Sequence, residues 1–183
     1  FKEYFYYNCY MTDKLSEYGW GFQVKVIAAM FTDRIFLQQI SDIIQADYFE
    51  SDANSWLLDV ILTHFTEYKA PPSKDVLKVK LTELHDDGPG SILKAAIVEQ
   101  LKDVFRFMES DDLTFVKDEI LKFCKNQEIK RAIMESVGLL QQGNYDQIKT
   151  NMDKAMKAGA DTDIGLDYKT SVAARYDEAA RHT

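Results

Sequence analysis

The sequence predicts an all-α protein: a compact helical N-terminal domain, a long helical hairpin, and a linker helix. Three observations predict it. Glycine and proline, the main helix breakers, number only 8 and 3, and the prolines all lie between positions 71 and 89. Apolar residues recur three and four apart along most of the chain, the period of a helix. Hydrophobic residues make up 46% of the 183 positions and aromatics 13%, enough for a packed core.

Phe22, Val26, Ala29 and Met30 mark the first helix. Asp33 has the side chain to cap the second, whose inward stripe is Phe36, Ile40, Ile43 and Ile44. Ser51 or Asp52 caps the third. Leu57, Ile61, Phe65 and Tyr68 share one of its faces, with Trp56, Val60 and His64 beside them. So wide a stripe predicts a central helix, ended by Pro71-Pro72. Ser73 caps a fourth helix with Leu77, Leu81 and Leu84 inward. After the loop Asp86 to Gly90, Ser91 is expected to cap a fifth, with Leu93, Ile97, Leu101, Val104, Phe105 and Met108 aligned.

A long helix is predicted from about Leu113 to Gln142. Val116, Ile120, Phe123 and Cys124 form its first apolar stripe; Ile129, Ile133, Val137 and Leu140 form a second, shifted near Gln127. Gly143 stops it. A shorter helix with Ile148, Met152, Ala155 and Met156 runs to Gly159, completing a hairpin. Two helices hold little core, so the hairpin's spare apolar positions call for the first domain or another copy of the chain. Residues 160–165 read as polar linker, and Ser171 to Arg181 as a short docking helix. The expected organisation is a compact helical domain over 1–111, the hairpin over 112–159 and the linker over 160–183.

Net charge is −8. A surface built to grip bare DNA is basic, so the balance points to protein partners. It divides as −7 over residues 1–111, +1 over 112–158 and −2 over the rest. Two scattered cysteines, Cys9 and Cys124, give neither a disulfide framework nor a zinc cluster, and Cys124 reads as a buried free thiol. No apolar run is long enough to span a bilayer, and the first residues do not read as a signal peptide. The expected location is cytoplasmic. The chain starts at Phe1 and stops at Thr183 without an end signal, so a fragment is expected.

Chemistry-bearing patterns are missing from the sequence. No glycine-rich turn leads into Lys-Ser/Thr, as a phosphate-binding loop requires. His64, His85 and His182 are not paired at ligand spacing, and His64 reads as a packed or interface residue. Asp86-Asp87 and Asp111-Asp112 sit where solvated or helix-start carboxylates belong. Tyr4, Phe5, Tyr6, Tyr7 and Tyr10 could stack on bases, but few cations accompany them and packing is the better reading. Lys117, Lys122, Lys125, Lys130 and Arg131 alternate with Glu119, Glu128 and Glu135, which reads as a salt-bridged helix face rather than a DNA track. No catalytic, cofactor-binding or metal-binding residue is expected.

Val24 to Ser73 resembles the N-terminal domain of phage replicative DNA helicases of the DnaB-like family, especially those of T4-like phages. The resemblance rests on a leading helix ending near Phe31, on Asp47-Tyr48-Phe49-Glu50-Ser51 and the apolar helix after it, on Tyr68, and on the Pro72-Ser73 helix start. The later hairpin and the stretch from Asp163 to Tyr176 are similar to that family's linker in order and length. The resemblance implies an oligomerisation and partner-docking domain of a hexameric helicase. It implies hairpins paired between subunits in a ring closed round single-stranded DNA, a primase and a helicase loader as partners, and a host-cytoplasmic location. ATP and Mg would belong only to a motor domain beyond Thr183. Ile133, Val137, Leu140, Ile148 and Met152 are the expected hairpin packing residues, within or between subunits. Val172, Arg175 and Tyr176 are the expected linker-docking residues. The alternative is a stand-alone helical adaptor or helicase loader with no motor domain.

Overall fold

A computed structural model describes residues 14–85 and 87–159. They form an all-α fold. In order come a 3-10 turn Leu15–Tyr18, α1 Trp20–Thr32, α2 Arg34–Ile40, a 3-10 turn Ala46–Tyr48, α3 Asp52–Tyr68, α4 Lys74–Thr82, α5 Pro89–Phe107, α6 Leu113–Gln141 and α7 Tyr145–Lys157. No strand occurs among the described residues.

The central helix is α1, not α3. Val24, Val26, Ile27, Ala28, Ala29 and Met30 are completely buried, so α1 is enclosed almost all round. It packs on α2, α3, α5 and α6. Ala28 and Ala29 are small enough to let neighbours close in on two sides, a feature that a count of large apolar residues overlooks. Buried Gln23 is satisfied from the loop before α3: its amide exchanges two 3.4 Å hydrogen bonds with Glu50.

Asp33 caps α2 as expected, its side chain accepting the Phe36 N–H at 3.0 Å. The helix is shorter than its apolar pattern, ending at Ile40, while Ile43 and Ile44 are buried from the turn that follows. Ser51 precedes α3 without making a side-chain cap bond. Leu57, Ile61 and Phe65 are buried; Tyr68, the last residue of α3, is exposed and lies against the His64 ring at 4.5 Å. Lys69, at φ 56°, stops the helix before the prolines are reached. Ser73 caps α4 by accepting the Val76 N–H at 3.3 Å. The fifth helix starts earlier than expected. Gly88 is its N-cap and Pro89 its first residue, so Ser91 is already inside. Proline suits that position, because it has no N–H to leave unpaired and its φ is preset.

The long helix serves two units. Val116, Ile120, Phe123 and Cys124 belong to the same buried core as α1 and α5. Beyond Gln127 the helix pairs with α7. Gly143, at φ 68°, turns the chain, and Asn144 caps α7 by accepting the Gln147 N–H at 3.3 Å. The second helix then runs back to the head, the packed unit of α1–α5 and the first turns of α6. Ala158 packs on its core, and a Cβ placed on Gly159 would lie 2.7 Å from Ile43 Cδ1.

Candidate functional site

The hairpin is built from two small residues facing each other: Ala132 on α6 and Ala155 on α7 are buried. Around them Ser136, Leu139, Ile148 and Met152 are half-buried. The two helices run antiparallel, which decides where their remaining side chains go. One step forward from an inward residue rotates about 100° round each helix, and in antiparallel neighbours the two rotations lead to the same flank. Ile133, Val137 and Leu140 lie one step beyond Ala132, Ser136 and Leu139; Met156 lies one step beyond Ala155. Tyr145, eleven positions before Met156, falls on the same stripe. One step backward gives Arg131 and Glu135 on α6 and Asn151 and Lys154 on α7.

The contacts confirm this division. On the backward flank Asn151 Nδ2 donates to Glu135 Oε2 at 3.3 Å, and Glu128, Arg131, Glu135, Asn151 and Lys154 line one polar groove. The forward flank is apolar and open: Ile133 is 52% exposed, Val137 56% and Leu140 59%, with Tyr145 and Met156 exposed beside them. Met134, farther round α6, is exposed too. Gly138 meets nothing that a Cβ would touch, leaving the surface between Val137 and Leu140 clear.

The five expected packing residues therefore separate. Ile148 and Met152 are half-buried within the chain's own hairpin, whereas Ile133, Val137 and Leu140 present a free face. Val172, Arg175 and Tyr176 lie outside the described residues, as do Tyr4, Phe5, Tyr6, Tyr7 and Tyr10.

The hairpin is fixed to the head by polar ties that sequence reading missed. Arg131 Nη2 donates to Tyr48 Oη at 3.3 Å while its Nη1 donates to Glu128 at 2.6 Å. The Tyr48 ring also meets Phe123 edge-on, 5.4 Å between centroids. Burial, with the Cys124 sulfur and the Glu128 carboxylate, pushes the Tyr48 phenol up to about 12 against the pull of Arg131. Burial likewise pushes the Cys124 thiol well up, so it is inert. Lys117 reaches back to Asp33 at 2.9 Å, and Lys25 pairs with Asp112. Of the basic residues of α6, Lys117, Lys122 and Arg131 take carboxylate partners, Lys122 with Glu119 at 3.9 Å. That agrees with a salt-bridged face.

A groove of about 640 Å³ lies between α3 and α4, lined by Trp56, His64, Tyr68, Asp59, Glu67 and Lys80 among others. His64 is half-buried there and lies outside the buried core. Among the described residues no three histidines, cysteines or carboxylates group as metal ligands, and no helix is long and apolar enough to cross a membrane. Comparison with known proteins gives no match to a family model, to a curated protein or to a solved structure.

Proposed function

We propose that this chain is an assembly module in which the apolar flank of the hairpin joins copies to one another. In its specific form the module is the N-terminal collar of a hexameric replicative DNA helicase, also meeting a primase or a loader. The open face of Ile133, Val137 and Leu140 carries the reading. A stripe of large apolar side chains on a pair of rigid helices, with a salt-bridged polar flank behind it, is arranged for self-contact. The head supports the same reading, since its core locks the first turns of α6 and so sets the direction of the hairpin.

Magnitudes indicate a modest pairing. Five half-exposed apolar side chains per copy would contribute on the order of 10 kcal/mol gross when two faces meet. Association costs roughly 4–15 kcal/mol. The hairpin pair alone is therefore weak, and a stable ring needs further contacts. Light scattering on the chain tests the pairing: the apparent mass rises with concentration, and Val137→Asp holds it at one copy with helicity unchanged. A chain that stays single at on the order of 1 mM, where even a weak pair is populated, defeats the reading. The helicase form has its own test. The coding sequence past Thr183 should encode a phosphate-binding loop, and a stop there would favour the adaptor.

A further inference from the structure

The groove between α3 and α4 has a repeat built into its α3 wall. Trp56 and Asp59 stand three positions apart, and His64 and Glu67 repeat that spacing eight positions on. Residues three apart are neighbours on a helix surface, so each carboxylate lies beside an aromatic ring. Tyr68, 65% exposed, extends the second aromatic face, its ring centroid 4.5 Å from that of His64. Eight positions of helix set the two carboxylates about 12 Å apart along the axis. Between them the floor is apolar, with Val60 from α3 and Val76 and Leu84 from α4. On the α4 wall Lys80 is held by Glu83 at 3.0 Å. Asp59 and Glu67 are exposed, and their carboxylates take no ion pair or hydrogen bond among the described residues.

We propose that this groove binds a helix of another protein that carries two arginines eight positions apart with a large apolar residue midway. Arginine satisfies both halves of each carboxylate–aromatic pair. Its planar guanidinium stacks on a ring face and donates to a carboxylate at its edge. Eight positions of the incoming helix span the same distance of about 12 Å. A helix laid between two others puts its apolar stripe on Val60, Val76 and Leu84 while its arginines reach the two ends. Charge favours such a partner, since Asp59 and Glu67 are uncompensated in a region, 1–111, whose net charge is −7. The chain does not supply this helix itself. Its arginines are Arg34, Arg106, Arg131, Arg175 and Arg181, and no two are eight apart. The site is separate from the hairpin pairing and uses none of its residues.

A fluorescently labelled helical peptide with that pattern, titrated with the full chain and followed by anisotropy, tests the proposal. Binding should saturate below about 1 mM. Asp59→Lys with Glu67→Lys should weaken it at least ~10-fold with helicity unchanged. Tyr68→Ala, or lysines in place of the peptide's arginines, should weaken it about threefold. Glu109→Lys with Asp118→Lys shifts the net charge equally at exposed sites outside the groove, and should change binding little. Binding should persist in Val137→Asp, which separates this site from the hairpin. No saturation by about 1 mM, or equal weakening by the two double reversals, overturns the proposal. So does loss of the chain's own association in Asp59→Lys with Glu67→Lys, because a sister copy would then be the occupant.

Discussion

Asp33 shows how much one side chain can hold. It caps α2 through the Phe36 N–H and receives Lys117 from α6, so it joins two elements that are 84 positions apart. Burial alone would raise its carboxyl pKa; the Lys117 ammonium and the Phe36 N–H outweigh that and hold it below the ordinary 3.8. The sign follows from linkage. A depressed carboxyl adds stability that is present above pH 3.8 and fades as the pH falls below it. Asp33→Ala should cost about 1–2 kcal/mol in denaturant unfolding at neutral pH, with the difference shrinking in acid. A constant difference down to strongly acid pH would refute the ion-pair part. Asn54 is the opposite case. It is fully buried, and neither its amide nitrogen nor its oxygen has a hydrogen-bond partner. Leaving such groups unpaired costs about 1–3 kcal/mol, so Asn54→Leu, of the same branched shape though bulkier, should raise the thermal midpoint. A lowered midpoint would mean that the amide is satisfied by water or that the site has no room for the methyl groups. The Asp33 cap was legible in the sequence because a cap is local. Its lysine was not, because Lys117 is one of several on α6 and only the fold selects it. The burial of Asn54 was equally hidden, since the pattern around it reads as helix whichever way the amide points.

At the scale of elements, helix existence was legible almost everywhere and helix ends less so. The stripe shift near Gln127 was visible in the sequence. Its cause is the change of partner along α6, from the head core to α7. The two flanks of the hairpin were not legible, because they arise only when two antiparallel helices are placed side by side. Pro89 and Ser91 compete for the start of α5, and propensity alone favoured the serine. Gly90 shows why the start is fixed: a Cβ there would come within 2.4 Å of the His85 carbonyl oxygen, so Gly90→Ala must displace the backbone. Gly159 does a similar task at the end of α7. Its φ of +66° disfavours a side chain, and a Cβ there would push aside the free end of Ile43. Gly159→Ala should cost about 1–2 kcal/mol and loosen the return of α7 to the head. Hydrogen exchange should then speed up across Tyr145–Lys157 while α1 keeps its protection. Unchanged exchange in α7 would show that the alanines, not the head contact, hold the hairpin closed.

For the whole molecule the arrangement is a packed head with a projecting hairpin that is polar on one flank and apolar on the other. The hairpin's forward flank gathers Ile133, Val137 and Leu140, each more than half exposed, on one stripe, whereas exposed Ile35, Val79, Ile92 and Phe115 lie on four different helices. Sedimentation equilibrium on three chains decides between a self-joining hairpin and an inert one: the wild type, Val137→Asp on the apolar flank and Glu135→Lys on the polar flank. Self-association should persist in the wild type and in Glu135→Lys, and disappear in Val137→Asp while all three keep the same helicity. Equal masses for all three chains, or loss of association from the polar flank alone, would contradict the account.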